Sequence, residues 1–161
     1  MEPEIEVRTA TEGDAKELHK LASELADAVG DPKPEPEAVR KRLLELLESA
    51  AAHTLVAESD AGLAGAASVW IKPDLAHGDT TAEVPMLVVS EELRRSGVGK
   101  LLMHEVRQLA SDNGANLIEL VATADNVPAR EFYKALGFVE TEHVALEFLG
   151  DLEDPPDSED Q

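Results

Sequence analysis

Met86 to Gly99 reads MLVVSEELRRSGVG and runs directly into KLLMHEVRQLA at Lys100 to Ala110. An apolar strand is followed by a turn with two glycines, Gly97 and Gly99, just where an amphipathic helix begins. Such a junction turns free backbone N–H groups and the positive end of a helix dipole toward one point, which makes it an anion site. Arg94, Arg95 and Lys100 crowd the same turn in a chain otherwise poor in bases, so a phosphate-bearing ligand is the expected occupant. The helix carries Val98, Leu101, Leu102, Val106, Leu109 and Ala110 on one face and stops at Asn113 and Gly114.

Outward from this segment, hydrophobic spacing supplies the other elements. On the N-terminal side, Ala82 to Val89 is apolar on both faces, as a covered central strand is. Before it come a polar loop, Pro73 to Thr81, and two strands, His53 to Glu58 and Leu63 to Lys72, joined through SDAG. Two helices precede these: one capped by Thr11 with Ala15, Leu18, Leu21, Ala22 and Leu25 at helical spacing, and one over Glu37 to Ala52. GDPKPEP separates them, and Ile5 to Arg8 forms a short first strand. On the C-terminal side follow a strand, Asn116 to Ala122, and a helix opened by Asn126 and Pro128 and closed by Gly137. Strands at Phe138 to Glu142 and Val144 to Phe148 complete the pattern. With no internal repeat, this order reads as an α+β fold: a mixed, largely antiparallel sheet with helices packed on it.

With 161 residues and 43% hydrophobic content, the chain suits one domain, read as residues 1–150, and the acidic stretch 151–161 reads as a disordered tail. Its 34 acids and 14 bases give a formal charge of -20, which disfavours nucleic acid and anionic membranes as partners. A dispersed acidic surface also serves solubility. The chain has no cysteine, an acidic proline-bearing start, and no apolar run of about 18 residues, so a soluble cytoplasmic protein is expected.

Three elements coincide: R-x-x-G-x-G at Arg94, Gly97 and Gly99; the strand MLVV before it; and, one strand later, N-x-x-A-x-x-F-Y-x-x-x-G-F at Asn126, Ala129, Phe132, Tyr133, Gly137 and Phe138. Together they resemble the GNAT superfamily of acetyl-coenzyme A dependent N-acetyltransferases, closely from Ala82 to Phe138. The resemblance implies an α/β/α arrangement whose sheet splays between the fourth and fifth strands, with helices on both faces. It implies that pantetheine lies in the gap along Leu87, Val88 and Val89, and that pyrophosphate rests on the N–H groups of Arg95, Ser96, Gly97, Val98, Gly99 and Lys100. Unpaired strand groups in a covered sheet need a partner, and an extended amide-rich ligand supplies one. Two positions depart from the family pattern. Ser96 keeps its backbone amide, whereas Pro85 removes an N–H inside the strand and predicts a bulge or a lost ladder bond beside the gap.

Acyl transfer to an amine needs a neutral nitrogen, an oxyanion stabiliser and a proton for the departing thiolate. By resemblance Tyr133, the chain's only tyrosine, is the proton donor; a core aromatic beside Phe132 is the plainer reading. Asn126 is a coenzyme contact or simply a helix cap. Glu83 is either the base, acting directly or through water, or an edge carboxylate facing solvent, with His77 and Asp79 as reserves. The oxyanion donor is expected to be the N–H of Val88 or Val89, and Trp70 reads as packing. The histidines lack metal-ligand spacing, so no metal is expected.

The expected activity is direct transfer from acetyl-coenzyme A to a primary amine, a cationic small molecule being favoured by the acids Asp74, Asp79 and Glu83. Aminoglycosides, aminoalkylphosphonates, protein N-termini and lysines stay open as acceptors, as does a non-catalytic acyl-coenzyme A sensor. A homodimer is one expectation for the assembly. A dinucleotide oxidoreductase is disfavoured, because its third glycine near Lys100 to Met103 and an early βαβ unit are both missing.

Overall fold

The computed structural model describes residues 4–153. Five strands, β1 (Glu6–Thr9), β2 (Ala52–Ser59), β3 (Gly62–Asp74), β4 (Asp79–Val89) and β5 (Leu117–Leu120), form one sheet in the order β1-β2-β3-β4-β5. Neighbours are antiparallel except β4 and β5, which run parallel. The helices are α1 (Ala15–Val29), α2 (Pro36–Glu48), α3 (Val98–Asp112) and α4 (Val127–Ala135).

Strand alternation divides the apolar residues between two cores. Ala57, Ala67, Val69, Ala82 and Val84 meet Val98, Leu102, Met103 and Val106 of α3 on one face. Val56, Ala66 and Val88 meet Leu18, Leu21 and Leu43 of α1 and α2 on the other. Helices therefore cover both faces, as the family resemblance implies.

Local chemistry sets the element ends. Thr11 precedes a short 3-10 turn, Glu12–Asp14, and its N–H donates to the Asp14 carboxylate at 2.8 Å. Arg8 grips that carboxylate with two bonds of 2.8 and 2.9 Å and holds its pKa below the usual range. Helix α1 stops at Gly30, left-handed with φ of 78°, and α2 starts on Pro36, which lacks the N–H that a first turn leaves unpaired.

Two expectations need correction. The polar loop read as Pro73 to Thr81 shrinks to residues 75–78, because β3 and β4 pair out to Asp74 opposite Asp79 as a hairpin beyond the core. The strands read at Phe138 to Glu142 and Val144 to Phe148 do not form. Apolar alternation is present there, but a strand also needs a neighbour's backbone, and beyond Phe138 no described residue bonds its backbone to another element. Of the acidic tail, residues 154–161 lie outside the described residues. No helix among the described residues is long and apolar enough to cross a membrane.

Candidate active site between β4 and β5

The pairing of β4 changes along its length. Thr81, Ala82, Glu83 and Val84 pair with Leu117, Ile118, Glu119 and Leu120 of β5, and there the contact ends. At the same point the pairing with β3 skips a residue: Ser68 faces Met86 while Trp70 faces Glu83, so three steps on β4 oppose two on β3. Val84 and Pro85 form that bulge, at the position where the missing proline N–H predicts one. From Pro85 to Val89 the strand keeps β3 as its only strand neighbour among the described residues, and its other edge opens into the space between β4 and β5.

Strand β4 ends where the Ser90 N–H bonds the Ala64 carbonyl at 2.8 Å, and a 3-10 turn, Glu91–Leu93, leads to the glycine turn. Arg95 adopts φ of 68° and Gly97 φ of 89°, both left-handed, and the Ser96 N–H and hydroxyl both donate to the Leu93 carbonyl. Among the described residues the N–H groups of Arg95, Gly97, Val98, Gly99 and Lys100 have no acceptor, as a helix start leaves them. The side chains of Arg94, Arg95 and Lys100 are exposed and take part in no ion pair among the described residues. Unsatisfied amides, a helix dipole and three cations make this turn fit for a pyrophosphate.

The two glycines serve different ends. Nothing lies within 4 Å of where a Gly97 side chain would start, so only its left-handed backbone demands glycine. Gly99 is buried, and a Cβ there would stand 2.9 Å from Cζ of Phe132 and 3.5 Å from Cγ2 of Val89. The sequence reading gives both glycines to the ligand, and the structure adds a packing reason at Gly99, whose small size lets Phe132 of α4 approach α3.

That docking places Tyr133. Its ring meets Phe132 and Phe138 edge-on, with centroids 5.3 and 5.7 Å away, and it packs on the same core face as Leu87 and Val89. The hydroxyl makes no hydrogen bond among the described residues, and burial pushes its pKa above the ordinary phenol value. Asn126 caps α4, its Oδ1 accepting from the Ala129 N–H at 3.3 Å, so the structural half of its two readings is seen directly.

Glu83 alternates with the buried Ala82 and Val84, so its side chain lies on the α1 and α2 face of the sheet, opposite Tyr133. It is not a lone carboxylate. Lys72 Nζ reaches its Oε2 at 2.8 Å, which raises the Lys72 pKa, and Glu119 stands beside it on β5. Sequence reasoning missed Lys72. The signal was the hairpin itself, since Lys72 faces Thr81 and lies diagonal to Glu83 once the turn is placed at residues 75–78. The reserve residues stay at the hairpin tip, where His77 Nδ1 pairs with Asp74 at 2.6 Å and Asp74 raises the imidazole pKa.

Comparison with known proteins agrees with this geometry. The Acetyltransferase (GNAT) family profile matches residues 16–138. Over 93 residues the chain is 32% identical to a putative ribosomal protein bS18-alanine N-acetyltransferase of Bacillus subtilis (strain 168), covering 58% of this chain and 58% of that one. Over 141 residues it is 28% identical to an aminoglycoside N(6')-acetyltransferase type 1 of Stenotrophomonas maltophilia, covering 86% and 88% of the two. A solved aminoglycoside N-acetyltransferase in complex with CoA shares the fold with a TM-score of 0.81 at 20% identity, over 92% of this chain and 96% of that one. With the family profile matched from α1 to the end of α4, the open edge of β4 and the amide-lined turn are features of a chain that belongs to the GNAT acetyltransferase family.

Proposed function

We propose that this acetyltransferase moves an acetyl group from acetyl-coenzyme A directly to the nitrogen of a primary amine, a cationic small molecule. One observation carries the reading: β4 loses its β5 partner at Val84, and the open edge that follows leads to the unsatisfied amides at the start of α3. An extended diamide chain ending in pyrophosphate satisfies both sets of groups at once.

Leu87, Val88 and Val89 line pantetheine, while the amides of Arg95 and of Gly97 to Lys100, with Arg94 and Lys100 as counter-charges, hold pyrophosphate; the Ser96 N–H, expected among them, is taken by the Leu93 carbonyl. Acid and base approach the opening from opposite faces of the sheet. The amine nitrogen attacks the acetyl carbonyl carbon, the carbon–sulfur bond breaks, and the Val88 or Val89 N–H steadies the negative charge on oxygen. Tyr133, kept protonated by burial, gives its proton to the leaving sulfur. Glu83 receives the proton that the amine releases, directly or through water, after an arriving ammonium takes the place of Lys72 beside it.

The likeness to an aminoglycoside acetyltransferase over most of both chains supports a polycationic acceptor. The Bacillus relative favours a second reading, a protein N-terminus. A panel of polyamines, aminoglycosides and peptides with an N-terminal alanine, followed by free-thiol release, separates them. Turnover on the small cations and little on the peptides is expected; the reverse order overturns the small-molecule assignment, and no thiol release with any amine overturns the enzyme.

A further inference from the structure

Trp70 is the chain's only tryptophan, and the sequence reading takes it as packing. An aromatic ring of this size normally gives most of its area to a core. Here it stands half-buried on β3 and belongs to neither core, the one under α3 or the one under α1 and α2. Among the described residues its ring meets no other aromatic ring.

Strand geometry puts that ring beside Glu83. On β3, Ala67 and Val69 face α3 while Ala66 faces α1 and α2, so alternation puts Trp70 on the α1 and α2 side. Glu83 lies on the same side of β4 and directly opposite Trp70 in the register, which makes the two side chains cross-strand neighbours. The bulge at Val84 and Pro85 follows at once, so the pair sits where the open edge of β4 begins. Lys72, two residues along β3 on the same side, already lays its ammonium on Glu83 at 2.8 Å. The spot thus accepts a primary ammonium on an unbranched aliphatic stem, and an otherwise unused aromatic ring adjoins it. We infer that Trp70 is a specificity-determining residue of the acceptor site. The acceptor's ammonium replaces that of Lys72, its carbon stem lies against the indole ring, and ring and carboxylate together hold the nitrogen at the mouth of the opening. An indole face attracts a cation through the ring's quadrupole, an attraction that an uncharged analogue lacks. This assignment rests on the proposed amine acetylation and names the class of amine its site takes, an alkylammonium.

Because the chain has a single tryptophan, its fluorescence reports on this spot without any turnover. With coenzyme A present, spermidine and hexylamine should change the emission saturably, whereas hexanol, with the same stem and no charge, should not. Emission that neither amine alters, or that hexanol alters equally, overturns the assignment. Steady-state kinetics supply the second measurement. Trp70→Leu keeps apolar bulk without a ring and should raise the amine KM about tenfold, and Trp70→Phe, which keeps a ring, only about threefold, with kcat and coenzyme A affinity changing less than about twofold. A KM unmoved in Trp70→Leu, or a coenzyme A affinity that falls with it, returns Trp70 to a packing role. If Trp70→Leu loses its circular dichroism signal, the titration of the parent chain still decides. An emission change without thiol release from any amine upholds the Trp70 site and overturns the acetylation; thiol release from amines that leave the emission unchanged does the opposite.

Discussion

The two halves of β4 have the same kind of sequence and different neighbours. Thr81 to Glu83 pairs with β3 on one side and Thr81 to Val84 with β5 on the other, so this segment is held from both sides. Pro85 to Val89 bonds β3 alone. Apolar side chains are just as dense there, with Val88 buried and Leu87 and Val89 packed on the α3 core, so fixed packing is not what distinguishes the two segments. The difference lies in the backbone. At the bulge of Val84 and Pro85 the strand passes from two strand neighbours to one, leaving an open edge that leads toward the glycine turn.

Substitutions on either side of that boundary should behave differently. The largest effect is expected from Tyr133→Phe, which keeps the ring packing and removes only the hydroxyl proposed as proton donor: turnover should fall roughly 10²- to 10⁴-fold with coenzyme A affinity almost unchanged in calorimetry. Glu83 belongs to the half held from both sides, so Glu83→Gln should leave coenzyme A binding intact. It should lower turnover about 10²-fold near neutral pH, partly regained at higher pH as more of the amine is neutral without help. Equal rates for mutant and parent across a pH series would make the Lys72 pair its whole role.

The two glycines offer a smaller and sharper contrast. Gly99→Val drives a side chain into Phe132 and should cost about 1–3 kcal/mol of stability by overpacking, part of which Phe132→Ala restores in the double mutant. Gly97→Val meets no neighbour and should cost only about 1–2 kcal/mol for its left-handed backbone, while still weakening coenzyme A binding. The smallest effect concerns pH. The folded state holds the Tyr133 proton more tightly than the unfolded chain, so this group costs no stability below about pH 10 and erodes it only as pH rises beyond that. A urea-melt series from neutral to alkaline pH, compared with Tyr133→Phe, isolates that contribution.

Much of this architecture was legible in the residues. Helical spacing located α1 to α4 within a few positions, and the GNAT resemblance placed the turn. Pro85 announced the bulge because a missing N–H has a fixed local consequence. What escaped depends on partners far along the chain. The burial of Gly99 is set by Phe132, and the Lys72 pair by a hairpin whose turn is shorter than its polar sequence implies. Val144 to Phe148 has a strand's alternation, but alternation gives no information about whether a neighbour exists to bond it.

Hydrogen–deuterium exchange with and without coenzyme A reads the contrast within β4 amide by amide. New protection is expected at those amides of Met86 to Val89 that face the open edge instead of β3, and at Arg95 and Gly97 to Lys100, with Thr81 to Glu83 unchanged because that segment is already paired on both sides. Protection absent from the open half and the glycine turn, or appearing only elsewhere in the chain, would contradict the placement of the ligand between β4 and β5.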